Sequence, residues 1–137
     1  MKRLTVVMLL AILIAPLLMA QDKNTEPAQK AGDRWIAVID KGDYAGSYER
    51  ASSMFKGAIG KDDWVQKSKG VRDPLGNVVS RKLDNAQYST TLPGAPDGEY
   101  VVLKYDTSFA NKKSAVETVV MMLDKDEQWR VSGYFIR

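Results

Sequence analysis

The sequence predicts an α+β domain in which three N-terminal helices pack on a four-stranded antiparallel sheet. Three observations carry that expectation. The apolar period is about 3.6 residues up to Gly76 and 2 beyond it. The later apolar segments are joined by short loops, which makes neighbouring strands antiparallel. The chain has 137 residues, enough for one modest core and too few for two.

The first 20 residues read as a targeting segment. Met1-Lys2-Arg3 is a basic start, Leu4 to Leu18 is apolar apart from Thr5, and Met19-Ala20 precedes the polar run Gln21-Asp22-Lys23-Asn24. This is the order of a secretory signal peptide. A membrane anchor needs roughly 20 apolar residues, and Pro16 interrupts this run near its end, so cleavage is the expectation. Residues 21–27 then form a short flexible lead, and 28–137 a single domain.

Ala28, Ala31, Trp35, Val38 and Ile39 recur at spacings of three and four, which puts them on one face of a first helix ending near Gly42. Asp43 is a candidate N-cap for a second helix, in which Tyr44, Tyr48, Ala51 and Phe55 continue the period to Gly57. Asp62 is expected to cap a third, carrying Trp64, Val65, Ser68 and Val71, with Pro74 and Gly76 stopping it.

A first strand falls within residues 77–90. Val79, Arg81 and Leu83 alternate, whereas Asp84-Asn85-Ala86 break the pattern, so this strand should be irregular. Two prolines and two glycines between Leu92 and Gly98 exclude strand there. Tyr100 to Phe109 forms the second strand, Asn111-Lys112-Lys113 a turn, Ala115 to Leu123 the third strand, Asp124 to Glu127 a turn, and Trp129 to Ile136 the fourth.

Pairing odd with odd positions gathers Val101, Leu103, Tyr105, Phe109, Val119, Met121, Leu123, Trp129, Val131 and Phe135 on one face, the seat for the first helix. The other face carries Lys104, Asp106, Arg130 and Ser132 but also Val102, Val120, Met122, Tyr134 and Ile136. It is too apolar to be simply wet, so further helices or a second subunit should cover part of it, and a homodimer is expected.

Composition removes several function classes. Without Lys2 and Arg3 the chain has 18 basic and 17 acidic residues, interspersed rather than gathered into a stripe, which argues against nucleic acid as a partner. There is no cysteine, hence no disulfide, thiol nucleophile, thiolate metal site or lipidated N-terminal cysteine to hold the processed chain on a membrane. There is no histidine, the usual proton shuttle and transition-metal ligand. No cofactor or metal is expected. Asp124, Asp126 and Glu127 read as a charged hairpin tip, since their loop is far shorter than a calcium-binding loop. Gly57-Ala58-Ile59-Gly60-Lys61 is too short for a phosphate loop and follows no strand.

Several segments carry a family resemblance: Ser80-Arg81, the run Leu92 to Tyr100, Tyr105-Asp106-Thr107-Ser108-Phe109, Lys112, Glu117-Thr118-Val119, and Trp129 through Ile136. Trp35, Asp40, Gly42-Asp43-Tyr44 and Trp64 extend it into the helical half. The chain resembles the bacterial domain-of-unknown-function 4019 family. That resemblance implies an exported domain whose curved sheet packs on helices as in cystatin-like or nuclear-transport-factor-2-like cones. It implies no activity.

Glu117 is the most informative side chain, because the register puts it on the apolar face beside Thr107 and diagonal to Tyr105, where a lone carboxylate is costly. One reading makes it the rim of a ligand cleft between the first helix and the sheet, partnered by Arg81 or Lys112. The plainer one has it reach solvent or pair with Lys112 or Lys113. Trp35, Tyr44, Tyr48 and Trp64 read as core at helical spacing, and Arg72-Asp73 and Asp62-Asp63 as helix-end electrostatics. The expected function is therefore a non-enzymatic module binding a small molecule or a protein, with Glu117, Arg81, Tyr105, Thr107 and Lys112 as ligand contacts. The alternatives are an enzyme with Glu117 as base and Tyr105 as polarising donor, or a structural assembly protein.

Overall fold

In the computed structural model, which describes residues 24–137, the chain runs through four helices and then four strands. The expected targeting segment lies outside the described residues. Helix α1 (Glu26–Asp40) has Pro27 in its first turn, where a missing N–H breaks no intrahelical bond, so the last two residues of the expected lead are already helical. It ends at Gly42, whose φ of 75° is the left-handed conformation that glycine adopts without strain.

The expected second helix is two. The side chain of Asp43 accepts from the Gly46 amide (2.9 Å) to start α2 (Tyr44–Glu49), and Ser52 accepts from the Phe55 amide (3.1 Å) to start α3 (Ser53–Ala58). The break has a tertiary cause: the Ser52 amide donates to the Val131 carbonyl of the sheet (2.8 Å), a bond that a continuous helix would forbid. Helix α4 (Lys61–Leu75) is capped at Gly60 without any side-chain bond, so Asp62 lies in its first turn instead of capping it.

Strands β1 (Val78–Ser89), β2 (Tyr100–Phe109), β3 (Lys112–Leu123) and β4 (Trp129–Ile136) form one open antiparallel sheet in sequence order. Lys112 and Lys113 belong to β3, because the turn is only Ala110-Asn111. In β1 the pairing slips at Val79 and at Asp84, so the inward side chains change from Leu83 to Ala86 and Tyr88. The irregularity expected from Asp84-Asn85-Ala86 is this second slip.

Val101, Leu103, Tyr105, Val119, Met121 and Val131 form the buried sheet face against Trp35, Ile36 and Ile39 of α1. Helix and sheet come close at Gly32, where an added Cβ would stand 2.5 Å from Leu103 Cδ1. The odd-to-odd register holds from Trp129 to Val131 and then fails. A bulge between the Met121–Val131 and Val120–Gly133 pairs inserts one residue into β4, so Tyr134 turns inward and Phe135 outward, the reverse of the expected arrangement. Phe135 is 60% exposed.

Candidate functional site

Four strands and two helices converge on Glu117. It pairs directly with Tyr105 in the β2–β3 ladder and is diagonal to Thr107, two residues from the expected pairing and on the same face. Its side chain is fully buried, so it neither reaches solvent nor meets Lys112 or Lys113. Arg81 grips it from β1 through Nε (2.7 Å) and Nη2 (3.2 Å), Thr107 donates Oγ1–H to Oε1 (2.6 Å), and the Tyr134 hydroxyl donates to Oε2. Both of its carboxylate oxygens are thus occupied by protein donors.

The network extends to the end of α1. Asp40 accepts from Arg81 Nη1 (2.7 Å) and Nη2 (3.0 Å) and from Arg72 Nη2 of α4 (2.9 Å). Arg72 Nη1 also donates to the Tyr134 hydroxyl (3.4 Å), and its guanidinium lies 5.0 Å from the Phe109 ring centroid. Arg72 is therefore a buried member of this cluster and no mere helix-end charge. Two arginines face two carboxylates, so the formal charges cancel.

Burial pushes the Asp40 carboxyl up, but the hydrogen bonds and charges of Arg81 and Arg72 outweigh it and hold it below 3.8. Burial alone would weaken the charge on Arg81, yet Asp40 and Glu117 raise it further above its ordinary range. Burial and the Glu117 charge keep the Tyr134 hydroxyl protonated well above 10.0. The Tyr105 hydroxyl is raised in the same way, by burial and by its bond to Asp33 (2.7 Å).

Of the five residues singled out in the sequence, Arg81, Thr107 and Glu117 meet. Tyr105 lies opposite Glu117 but sends its hydroxyl to Asp33 of α1. Lys112, exposed at the start of β3, makes no side-chain ion pair or hydrogen bond among the described residues. Asp40, Arg72 and Tyr134 complete the cluster without having been marked as site residues.

Beside the cluster, a cleft of about 300 Å³ opens between α1 and the sheet, lined by Asp33, Ile36, Arg81, Leu83 and Tyr105. The aromatic side chains on α1, α2 and α4 are core, as their spacing indicated: Trp35 donates Nε1–H to the Ser47 carbonyl and Trp64 to Ser47 Oγ, both at 2.9 Å. Phe55 meets the Trp64 ring edge-on at 4.8 Å.

These features define an α+β domain whose helices are fastened to an open antiparallel sheet by a charge-balanced clasp. The chain belongs to the family described as Protein of unknown function (DUF4019), whose model matches residues 31–134 and so takes in every member of the clasp. No curated protein matches the chain.

Proposed function

We propose that this protein is an exported bacterial binding module, without catalytic activity, that holds a small ligand in the cleft between α1 and the sheet. The saturation of Glu117 carries this reading. Four hydrogen bonds and complete burial leave it no lone pair directed at a substrate, so a role as general base would first require dismantling the fold's own seam. The Tyr105 hydroxyl, turned to Asp33, is likewise committed.

The cleft beside them offers a preformed apolar wall from Ile36 and Leu83 with polar groups from Asp33, Tyr105 and Arg81. Arg81 uses four of its five N–H groups within the clasp, leaving one for a ligand. The helix-on-sheet order and the bulges that bend β1 and β4 support a curved cystatin-like or nuclear-transport-factor-2-like cone. Export rests on the basic, apolar and small-residue order of residues 1–20.

A fragment screen read by amide chemical shifts tests the site. Saturable shifts at Asp33, Ile36, Leu83 and Tyr105 are expected, and their absence from this cleft contradicts the reading. N-terminal sequencing of the exported protein should begin after Ala20, and a mature chain starting at Met1 overturns the export step. A homodimer through the outer sheet face is a second reading, favoured by exposed Phe135 beside half-buried Val102 and Val120. Light scattering on the purified protein decides it, and a monomer removes it.

A further inference from the structure

A second groove, separate from the α1 cleft, runs between α4 and β4 and encloses about 300 Å³. Its apolar wall is made by Trp64 and Val71 of the helix and Phe135 and Ile136 of the strand. Val71 and Phe135 are two of the three large apolar side chains most open to solvent among the described residues.

The polar side chains of the same groove are Lys67, Ser68, Arg72 and Tyr134, and no lining residue is acidic. Ser68 Oγ and Arg72 Nε are buried and have no hydrogen-bond partner. They are the only such side-chain atoms among the described residues, and both belong to residues lining this groove. A buried donor without an acceptor carries its full desolvation cost, which an acceptor brought by a ligand removes.

Charge narrows the class of that ligand. Behind the groove, Arg72 and Arg81 are offset by Asp40 and Glu117, so the clasp contributes no net charge. Lys67 has no ion-pair partner among the described residues, which leaves one uncompensated positive charge on the groove. An apolar wall, two orphaned donors and a single spare cation match one molecule type. We propose that this groove binds a small amphiphilic carboxylate, its ring or short alkyl body against Trp64, Val71 and Ile136, its head accepting from Ser68 and Arg72 and balanced by Lys67.

Hexanoate and 3-phenylpropanoate are the probes, titrated into the 15N-labelled protein with 1-hexanol as the uncharged comparison. Saturable shifts at the amides of Ser68, Val71, Arg72 and Ile136 are expected for both carboxylates, with 1-hexanol weaker by about tenfold or more. Lys67→Gln, at an exposed position, should weaken hexanoate by a similar factor, whereas Lys69→Gln should leave it unchanged. Ser68→Ala should weaken it severalfold without unfolding the chain, checked by its retained amide spectrum. Equal binding of hexanoate and 1-hexanol, or of wild type and Lys67→Gln, overturns the carboxylate assignment. Shifts confined to the α1 cleft, or none at all, overturn this site, and only the absence of fragment binding at that cleft counts against the function proposed above.

Discussion

Arg81 and Arg130 each hold two carboxylates, and their surroundings make them unlike. Arg81 joins Asp40 and Glu117 across 41 and 36 residues of sequence, is 17% exposed, and ties α1 and β1 to β3. Arg130 joins Asp124 and Asp126 within one hairpin, four to six residues away, with Asp126 54% exposed. Removing Glu117 or Arg81 from the inner triad strands a charge largely shielded from water. In the outer one water replaces what is lost at exposed Asp126, and Asp124 keeps its bonds from Ser53. Identical chemistry thus fastens the fold in one place and trims a turn in the other.

The largest effect is expected from Glu117→Gln. It keeps the shape and leaves the buried Arg72 and the half-buried Arg81 sharing Asp40, so urea denaturation should show a loss of about 3–5 kcal/mol. A loss no greater than that of a surface variant would erase the contrast between the two triads.

Tyr134→Phe removes a hydroxyl that donates to Glu117 and accepts from Arg72. It should cost about 1–3 kcal/mol in the same assay. It should also flatten the alkaline limb of stability. Tyr105 and Tyr134 are held protonated above 10.0 in the fold, so their contribution is complete below pH 10 and erodes as the unfolded tyrosines ionise above it. An unchanged alkaline limb in Tyr134→Phe would contradict this role.

At the acid end both triads depress a carboxyl, and salt separates them. The hydrogen bond and charge of Arg130 lower Asp126 to about 2, a shift that 1 M salt should largely reverse in a carbon-detected NMR titration. Asp40 should stay below 3.8 under the same conditions. Its stabilising effect is therefore present above pH 3.8 and lost as pH falls through the lower folded value. The smallest effect belongs to Arg130→Gln, whose denaturation midpoint should move little and not at all in high salt.

Much of this structure was legible in the apolar pattern. The change of period at Gly76, the bounds of β2 and β4, and the inward set from Val101 to Val131 all follow from residue spacing, because burial on one face of a strand leaves a two-residue signature. The misplacement in β4 has a different cause. Periodicity is blind to one inserted residue, and the bulge before Gly133 exchanged Tyr134 and Phe135.

The split between α2 and α3 was hidden because Tyr44, Tyr48, Ala51 and Phe55 keep helical spacing across it. Ser52 as an N-cap three residues before Phe55 was the available local signal. In the clasp, an acid on an apolar face announced that it needed a cation, and Arg81 supplied it. Asp40 and Arg72 stand 77 and 45 positions from Glu117 at helix ends, where charged residues are ordinary, so nothing local marked them as its neighbours. Tyr134 was hidden by the same bulge.

A double-mutant cycle on Arg81→Met and Glu117→Leu, followed by urea denaturation with and without 1 M sodium chloride, tests the clasp most directly. A coupling energy of about 2 kcal/mol or more that survives salt is expected for a sealed pair joining helix to sheet. Coupling below about 0.5 kcal/mol, or coupling that disappears in salt, would place Glu117 in water and contradict the account.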